Sequence, residues 1–204
     1  MTRSQIKALA RESLGNKIFG STWMWGVLIC LIFTVICAVC SAIPAIGTAA
    51  ILVLTGPLSH GLYKCFIRQN RTGDGLGFAN LFSGFTDDFG GNFLLGLLIV
   101  VFTFLWSLLF VIPGIIKTYS YSMAFFIKID HPEMGWKECI DGSKAMMKGH
   151  KWELFVQDLS FLGWFILGSL ILGIGTLWVM PYFYSARAYF YDSLCGTVAE
   201  NSEA

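Results

Sequence analysis

Two charges stand at the borders of an apolar stretch. Asp158 and Arg187 flank 28 residues that contain no Asp, Glu, Lys or Arg. An ionisable side chain inside a membrane segment is expensive, and by default it marks an ion pair, a proton relay or a solute pathway. At about 1.5 Å per helical residue, Asp158 lies roughly 10 Å beyond Lys151. Arg187 lies at a similar depth, counted back from Asp192 and Leu194. This spacing predicts an Asp158–Arg187 ion pair between two adjacent helices. Such a pair could serve a transport path, or could simply fix helix register. Cys37-x-x-Cys40 is the other reactive spacing, and a low-pKa thiol pair would suit redox chemistry. That chemistry needs a second pair on the same side, whereas Cys65, Cys139 and Cys195 map to the opposite one. Cysteine also packs as a small apolar residue. His60, His131 and His150 lack metal-ligand spacing, and no hydrolase, zincin, phosphate-loop or dinucleotide fingerprint occurs. No catalytic, cofactor-binding or metal-binding residue is expected, and no cofactor.

Cationic chemistry is concentrated between Glu133 and Lys151. At 100° per residue, Trp136, Ile140, Ser143 and Met147 form one stripe, with Cys139 and Met146 beside it. Lys137, Lys144, Lys148 and Lys151 form the adjacent stripe. Such a helix lies in the membrane interface, its lysines at anionic lipid headgroups. Its apolar stripe would then face either acyl chains or its own helix bundle. Phe78, Phe82, Phe85 and Phe89 recur at the spacing of one helical face and predict an interfacial anchor.

The elements that must position these residues are visible as gaps in the charge pattern. Residues 18–63, 46 in all, carry no Asp, Glu, Lys or Arg, and 89–116 is a further run of 28. A membrane crossing takes about 20 apolar residues, so the first gap fits two crossings with a turn. The chain is 55% hydrophobic and 13% charged, against about 25% charged for soluble domains. The expected fold is all-α: a polytopic membrane protein with six transmembrane helices in three hairpins and cytoplasmic amphipathic helices at the interface. The N-terminal amphipathic helix covers 1–20 and the first hairpin 21–66. An interfacial segment and second hairpin occupy 74–130. The second amphipathic helix and third hairpin occupy 133–195, and 196–204 is a disordered tail. The turns fall at Ile43-Pro-Ala-Ile-Gly47, Ile112-Pro-Gly114 and Gly173-Ile-Gly175. Gly56-Pro57 should kink its helix. Ile115–Ile129 is a short return leg carrying Lys117. A cleaved signal peptide is not expected, because the first apolar stretch is several times too long.

Orientation follows from the basic residues. Thirteen of the 14 Lys and Arg fall on one side of this arrangement, with only Lys117 on the other. Lys/Arg excess marks cytoplasmic loops, so both termini are expected inside. The three units of about 65 residues each place an amphipathic segment before a hairpin. The second and third share an echo, Tyr119-Ser-Tyr-Ser122 against Tyr182-Phe-Tyr-Ser185. A net charge of +1 with no basic tail argues against nucleic acid as a partner.

Three blocks carry a family resemblance. They are Leu105-Trp-Ser-Leu-Leu-Phe-Val-Ile-Pro-Gly-Ile-Ile-Lys117 running into Tyr119-Ser-Tyr-Ser-Met-Ala124, then Ser143-Lys-Ala-Met-Met-Lys-Gly-His-Lys-Trp-Glu-Leu-Phe155 with Leu159-Ser-Phe-Leu-Gly-Trp164, and Pro181-Tyr182 with Tyr189-Phe-Tyr191. From Ala8-Leu-Ala-Arg-Glu-Ser-Leu14 to about Leu194 the chain resembles the bacterial integral-membrane family catalogued as domain of unknown function 975. The resemblance implies a bacterial inner-membrane location and a multi-span fold. It brings no site residues. The leading expectation is a non-enzymatic accessory or membrane-organising protein whose partners are the lipid bilayer, anionic lipids included, and another membrane protein or a second copy of itself. A small-solute or ion transporter is the alternative, with a thiol-redox membrane enzyme third.

Overall fold

A computed structural model describes residues 2–15, 19–42, 46–170 and 173–196. Among these residues there are eleven helices and no strand: α1 (Arg3–Ser13), α2 (Ser21–Ser41), α3 (Ile46–Thr72), α4 (Phe78–Leu81), α5 (Ser83–Thr86), α6 (Phe89–Leu109), α7 (Val111–Tyr121), α8 (Ala124–Asp130), α9 (Trp136–Met146), α10 (Lys151–Leu170) and α11 (Ile174–Cys195). Four segments are long and apolar enough to cross a membrane: Ser21–Ser41, Ala49–Thr72, Phe89–Leu108 and Lys151–Leu170. Lys17, the Ile43-Pro-Ala part of the first expected turn, and the tail from 197 onward lie outside the described residues.

Local chemistry sets the helix ends. Thr2 and Gln5 form a reciprocal capping box on α1: the Gln5 side chain accepts from the Thr2 amide at 2.8 Å, and Thr2 Oγ1 accepts from the Gln5 amide at 3.4 Å, meeting two orphan donors. Asp88 accepts from the Gly91 amide at 2.9 Å to start α6. The Glu138 carboxylate accepts from the Gly135 amide at 2.8 Å to start α9. Gly173 and Gly196 take φ of 76° and 78° on either side of α11, a conformation that glycine adopts without steric cost.

Two expectations need correction. Ile112-Pro-Gly114 is not a turn, because the break falls two residues earlier, at extended Phe110, and α7 begins at Val111. Pro113 then sits in the first turn of α7, where its missing N–H costs no helix bond. The return leg Ile115–Ile129 is likewise not one helix. It stops at Tyr121 and resumes at Ala124, and the pieces of 11 and 7 residues are each short of a crossing. The cause is Ser143 of α9, which accepts from the Met123 amide at 3.1 Å and donates to the Ser120 carbonyl at 2.8 Å. It thereby takes over backbone groups at the break. α11 has 22 residues but carries Arg187, Asp192 and four tyrosines, which lowers its apolar character.

The helices pack cyclically. The inner members are α3, α8 and α11, with α3 touching both others. Phe126 of α8 stacks on Tyr191 of α11 at 5.1 Å. Each outer helix bridges two neighbours: α2 lies on α3 and α11, α6 on α3 and α7, and α10 on α11 and α7. Each short helical segment rests on the inner element that precedes it around this ring, α4 and α5 on α3, α9 on α8, and α1 on α11. Glycines permit a close crossing between α3 and α6. A Cβ on Gly96 would lie 2.3 Å from the Gly56 Cα, and one on Gly56 would lie 2.2 Å from the Asn92 carbonyl oxygen. Small residues let membrane helices approach backbone to backbone.

Candidate functional site

The structure brings Asp158 and Arg187 together. Arg187 Nη2 lies 2.5 Å from Asp158 Oδ2, and the side chains are only 17% and 15% exposed. α10 and α11 supply the two charges, and α7 closes over them. Tyr119 Oη donates to Asp158 Oδ2 at 3.2 Å. The Phe183 ring lies under the guanidinium at 4.8 Å, an attractive placement for a cation over a π face. A buried pair supplied in this way with extra hydrogen bonds is satisfied. It couples three helices.

A second cluster was not legible in the sequence. Arg71, one residue before the end of α3, reaches two carboxylates at once. Its Nη1 lies 2.7 Å from Asp130 at the end of α8, and its Nη2 lies 2.6 Å from Asp192 near the end of α11. Tyr191 Oη donates to Asp130 Oδ2 at 2.9 Å. Sequence separations of 59 and 121 residues hide this triad from any local pattern. Only the recurrence of a charge near each inner helix's end could have signalled it. Beside it, Asn70 donates to the Ser185 carbonyl at 3.0 Å, and Ser185 and Ser13 both donate to Asn70 Oδ1, at 2.8 and 3.0 Å. These bonds tie α1, α3 and α11 together.

Two further pairs join the α5–α6 corner to the inner helices. Lys64 meets Asp87 at 2.5 Å, and Lys128 meets Asp88 at 2.8 Å. Lys128 is 4% exposed and also donates to the Pro132 and Met134 carbonyls at 2.7 and 2.9 Å. The hydrogen bond from Lys128 and the Gly91 amide hold the Asp88 carboxyl below its ordinary range. The hydrogen bond from Lys64 does the same for Asp87.

The lysines of the 133–151 segment are arranged differently from the ion pairs. Lys137, Lys144 and Lys148 are exposed, and Lys151 is half-buried at the start of α10. Lys144 pairs with Asp141 at 2.8 Å and stands 5.8 Å from the Tyr121 ring. Cys139, Ile140, Ser143 and Met147 are all buried, so the apolar stripe of α9 faces its own bundle. The phenylalanine stripe is broken into α4, α5 and the start of α6, yet its rings still follow one another. Phe82, Phe85, Phe89 and Phe93 lie at successive centroid distances of 6.3, 6.1 and 6.1 Å. Cys37 and Cys40 are free thiols on α2. Among the described residues no three His, Cys, Asp or Glu side chains gather closely enough to hold a metal ion.

A family described as protein of unknown function (DUF975) matches residues 1–120 and 108–197. The chain belongs to the DUF975 family. No curated protein and no solved structure matches it. Within this DUF975 chain the matched residues take in all eleven helices, the buried Asp158–Arg187 pair and the Arg71 triad.

Proposed function

We propose that this protein is a non-enzymatic component of a bacterial cytoplasmic membrane that acts through lipids or membrane-protein partners. It crosses six times as three helical hairpins, with both termini on the cytoplasmic side. The four apolar helices support this topology, with α7–α8 and α11 serving as return legs. The observation that carries the functional reading is the aromatic packing between the inner helices. Tyr63 and Phe66 of α3, Phe126 of α8 and Tyr184 and Tyr191 of α11 meet there, with ring centroids 4.7 Å apart for Tyr63–Phe126 and 5.6 Å for Phe66–Tyr184. Several hydroxyls of the spans are spent locally. Thr34, Thr55, Thr118 and Ser120 each donate to the carbonyl four residues back, a local bond open to Ser and Thr within helices. A transporter would need those groups along a wetted route, and would need Asp158 to part from Arg187.

Native mass spectrometry of the protein released from mild detergent tests the reading, alongside solute and proton flux in proteoliposomes. Retained phospholipid or a retained protein subunit, without flux, is the expected result. Flux that is lost on Asp158→Asn would overturn it in favour of transport.

A further inference from the structure

A cavity of about 560 Å³ opens between α1, the start of α2, α10 and α11. That size falls within the roughly 300–1,000 Å³ of ordinary small-molecule sites. Its walls are Trp23, Trp164, Leu167, Trp178 and Val179, and Arg11 stands on its rim. Along α11 it runs from Tyr182 to Ile174, eight residues or about 12 Å. One leaflet's hydrocarbon is about 15 Å deep, half of a core of about 30 Å. The cavity therefore has the shape of a slot for one acyl chain, lying along two membrane helices with a cation at one end.

Two features distinguish this slot from ordinary lipid-facing surface. The first is charge. Arg11 and Lys7 are one turn apart on α1, and neither has a carboxylate partner among the described residues. Arg11 lies 6.0 Å from the Tyr182 ring. Lys7 lies 4.5 Å from the Phe161 ring and donates only to the Ser160 carbonyl, at 3.4 Å. Burial and the charge of Arg3 both lower the Lys7 pKa, the condition that a bound anion would relieve. The second is the aromatic lining. Trp23, Trp164 and Trp178 all line it, and indole rings are enriched at the headgroup level of a bilayer.

We infer that this slot binds one anionic glycerophospholipid, its phosphate at Arg11 and Lys7 and one acyl chain along Trp23, Trp164 and Trp178. The inference rests on the lipid-directed reading above and gives it a place and a headgroup. It also moves lipid recognition away from α9, whose apolar face is turned inward and whose Lys144 is already paired with Asp141.

The test uses the full-length protein delipidated in detergent, with phosphatidylglycerol, phosphatidylcholine or inorganic phosphate added back. Bound lipid is counted by native mass spectrometry and Tm is followed in parallel. Phosphatidylglycerol is expected to bind with one molecule per chain and to raise Tm, whereas phosphatidylcholine and phosphate do not. The double variant Lys7→Gln/Arg11→Gln should weaken that binding by about tenfold or more, the scale expected for two membrane-surface cations. Trp164→Ala, at a wall position that is 51% exposed, should weaken it without unfolding the chain. Lys144→Gln/Lys148→Gln should leave it unchanged. Equal binding of the two lipids, stabilisation by phosphate alone, or full binding by the Lys7→Gln/Arg11→Gln variant would each overturn the site. None of these results produces flux, so failure of the site is distinguishable from failure of the lipid-directed reading.

Discussion

Asp158 and Arg187 are nearly buried charges that satisfy each other, and their worth depends on being removed together. Arg187→Gln leaves a carboxylate in a nearly dry site, and losing one partner of a buried pair costs about 3–5 kcal/mol. Asp158→Asn/Arg187→Gln removes both charges, so thermal unfolding in detergent should show most of that loss recovered. A double variant no better than the single one would mean that the pair is not coupled. Asp88 gives a pH-dependent counterpart outside the spans. Its pKa is lowered in the folded chain by Lys128, so its contribution is complete above the ordinary carboxylate range, near pH 4. The contribution disappears as pH falls through the lower folded value. Acid unfolding of the wild type should therefore be steeper below about pH 4 than that of Asp88→Asn. Asparagine keeps the cap on α6 but loses the ion pair, whereas Asp88→Ala should lose a further ~1 kcal/mol.

At the scale of the element, the outer helices were legible and the inner ones less so. α2 and α6 lie within long uncharged runs and α10 enters one after Asp158, and nothing interrupts their hydrogen-bond ladders. The inner elements carry the charged ends and the break at Ser122-Met123, where a tertiary contact from Ser143 overrides local preference. The Phe78–Phe89 spacing predicted a continuous face. Phe82 and the capping Asp88 divide it, because a side chain that starts one helix ends the pattern before it. Lys137, Lys144, Lys148 and Lys151 were expected along one helix, but α9 ends at Met146, Lys148 lies in the turn after it and Lys151 opens α10. Which way the apolar side of that segment faces depends on the cavity that α6, α7 and α8 leave for it, and no periodicity encodes that. The α3–α6 crossing gives the sharpest element-scale expectation. Gly56→Ala should destabilise by about 1–3 kcal/mol, since backbone atoms of α6 cannot move aside. Gly163→Ala, in α10 with nothing near its Cβ position, should stabilise by up to about 1 kcal/mol. Circular dichroism melts of the two variants check the contrast.

For the whole molecule, the proposed six crossings predict where each helix end meets water. In a cysteine-free background, Ser41→Cys should react with a membrane-impermeant maleimide in intact cells. Lys144→Cys should react only after the membrane is opened. Labelling of Lys144→Cys from outside would invert the topology. The triad of Arg71, Asp130 and Asp192 also belongs to this scale. It joins the ends of three helices that the chain delivers far apart, so its partners become visible only once the ring is assembled.

That ring has a consequence for how the protein is made. α2, the first long apolar helix, is completed by α11, the last. The Trp23 indole donates to the Trp178 carbonyl across 155 residues, at 3.1 Å, and Gly26 lies beneath Pro181. During synthesis α2 can pack on α3 at once, but the face that meets α11 waits open in the bilayer until nearly the whole chain has left the ribosome. Anything that chaperones this protein must therefore guard that face of α2 for most of translation.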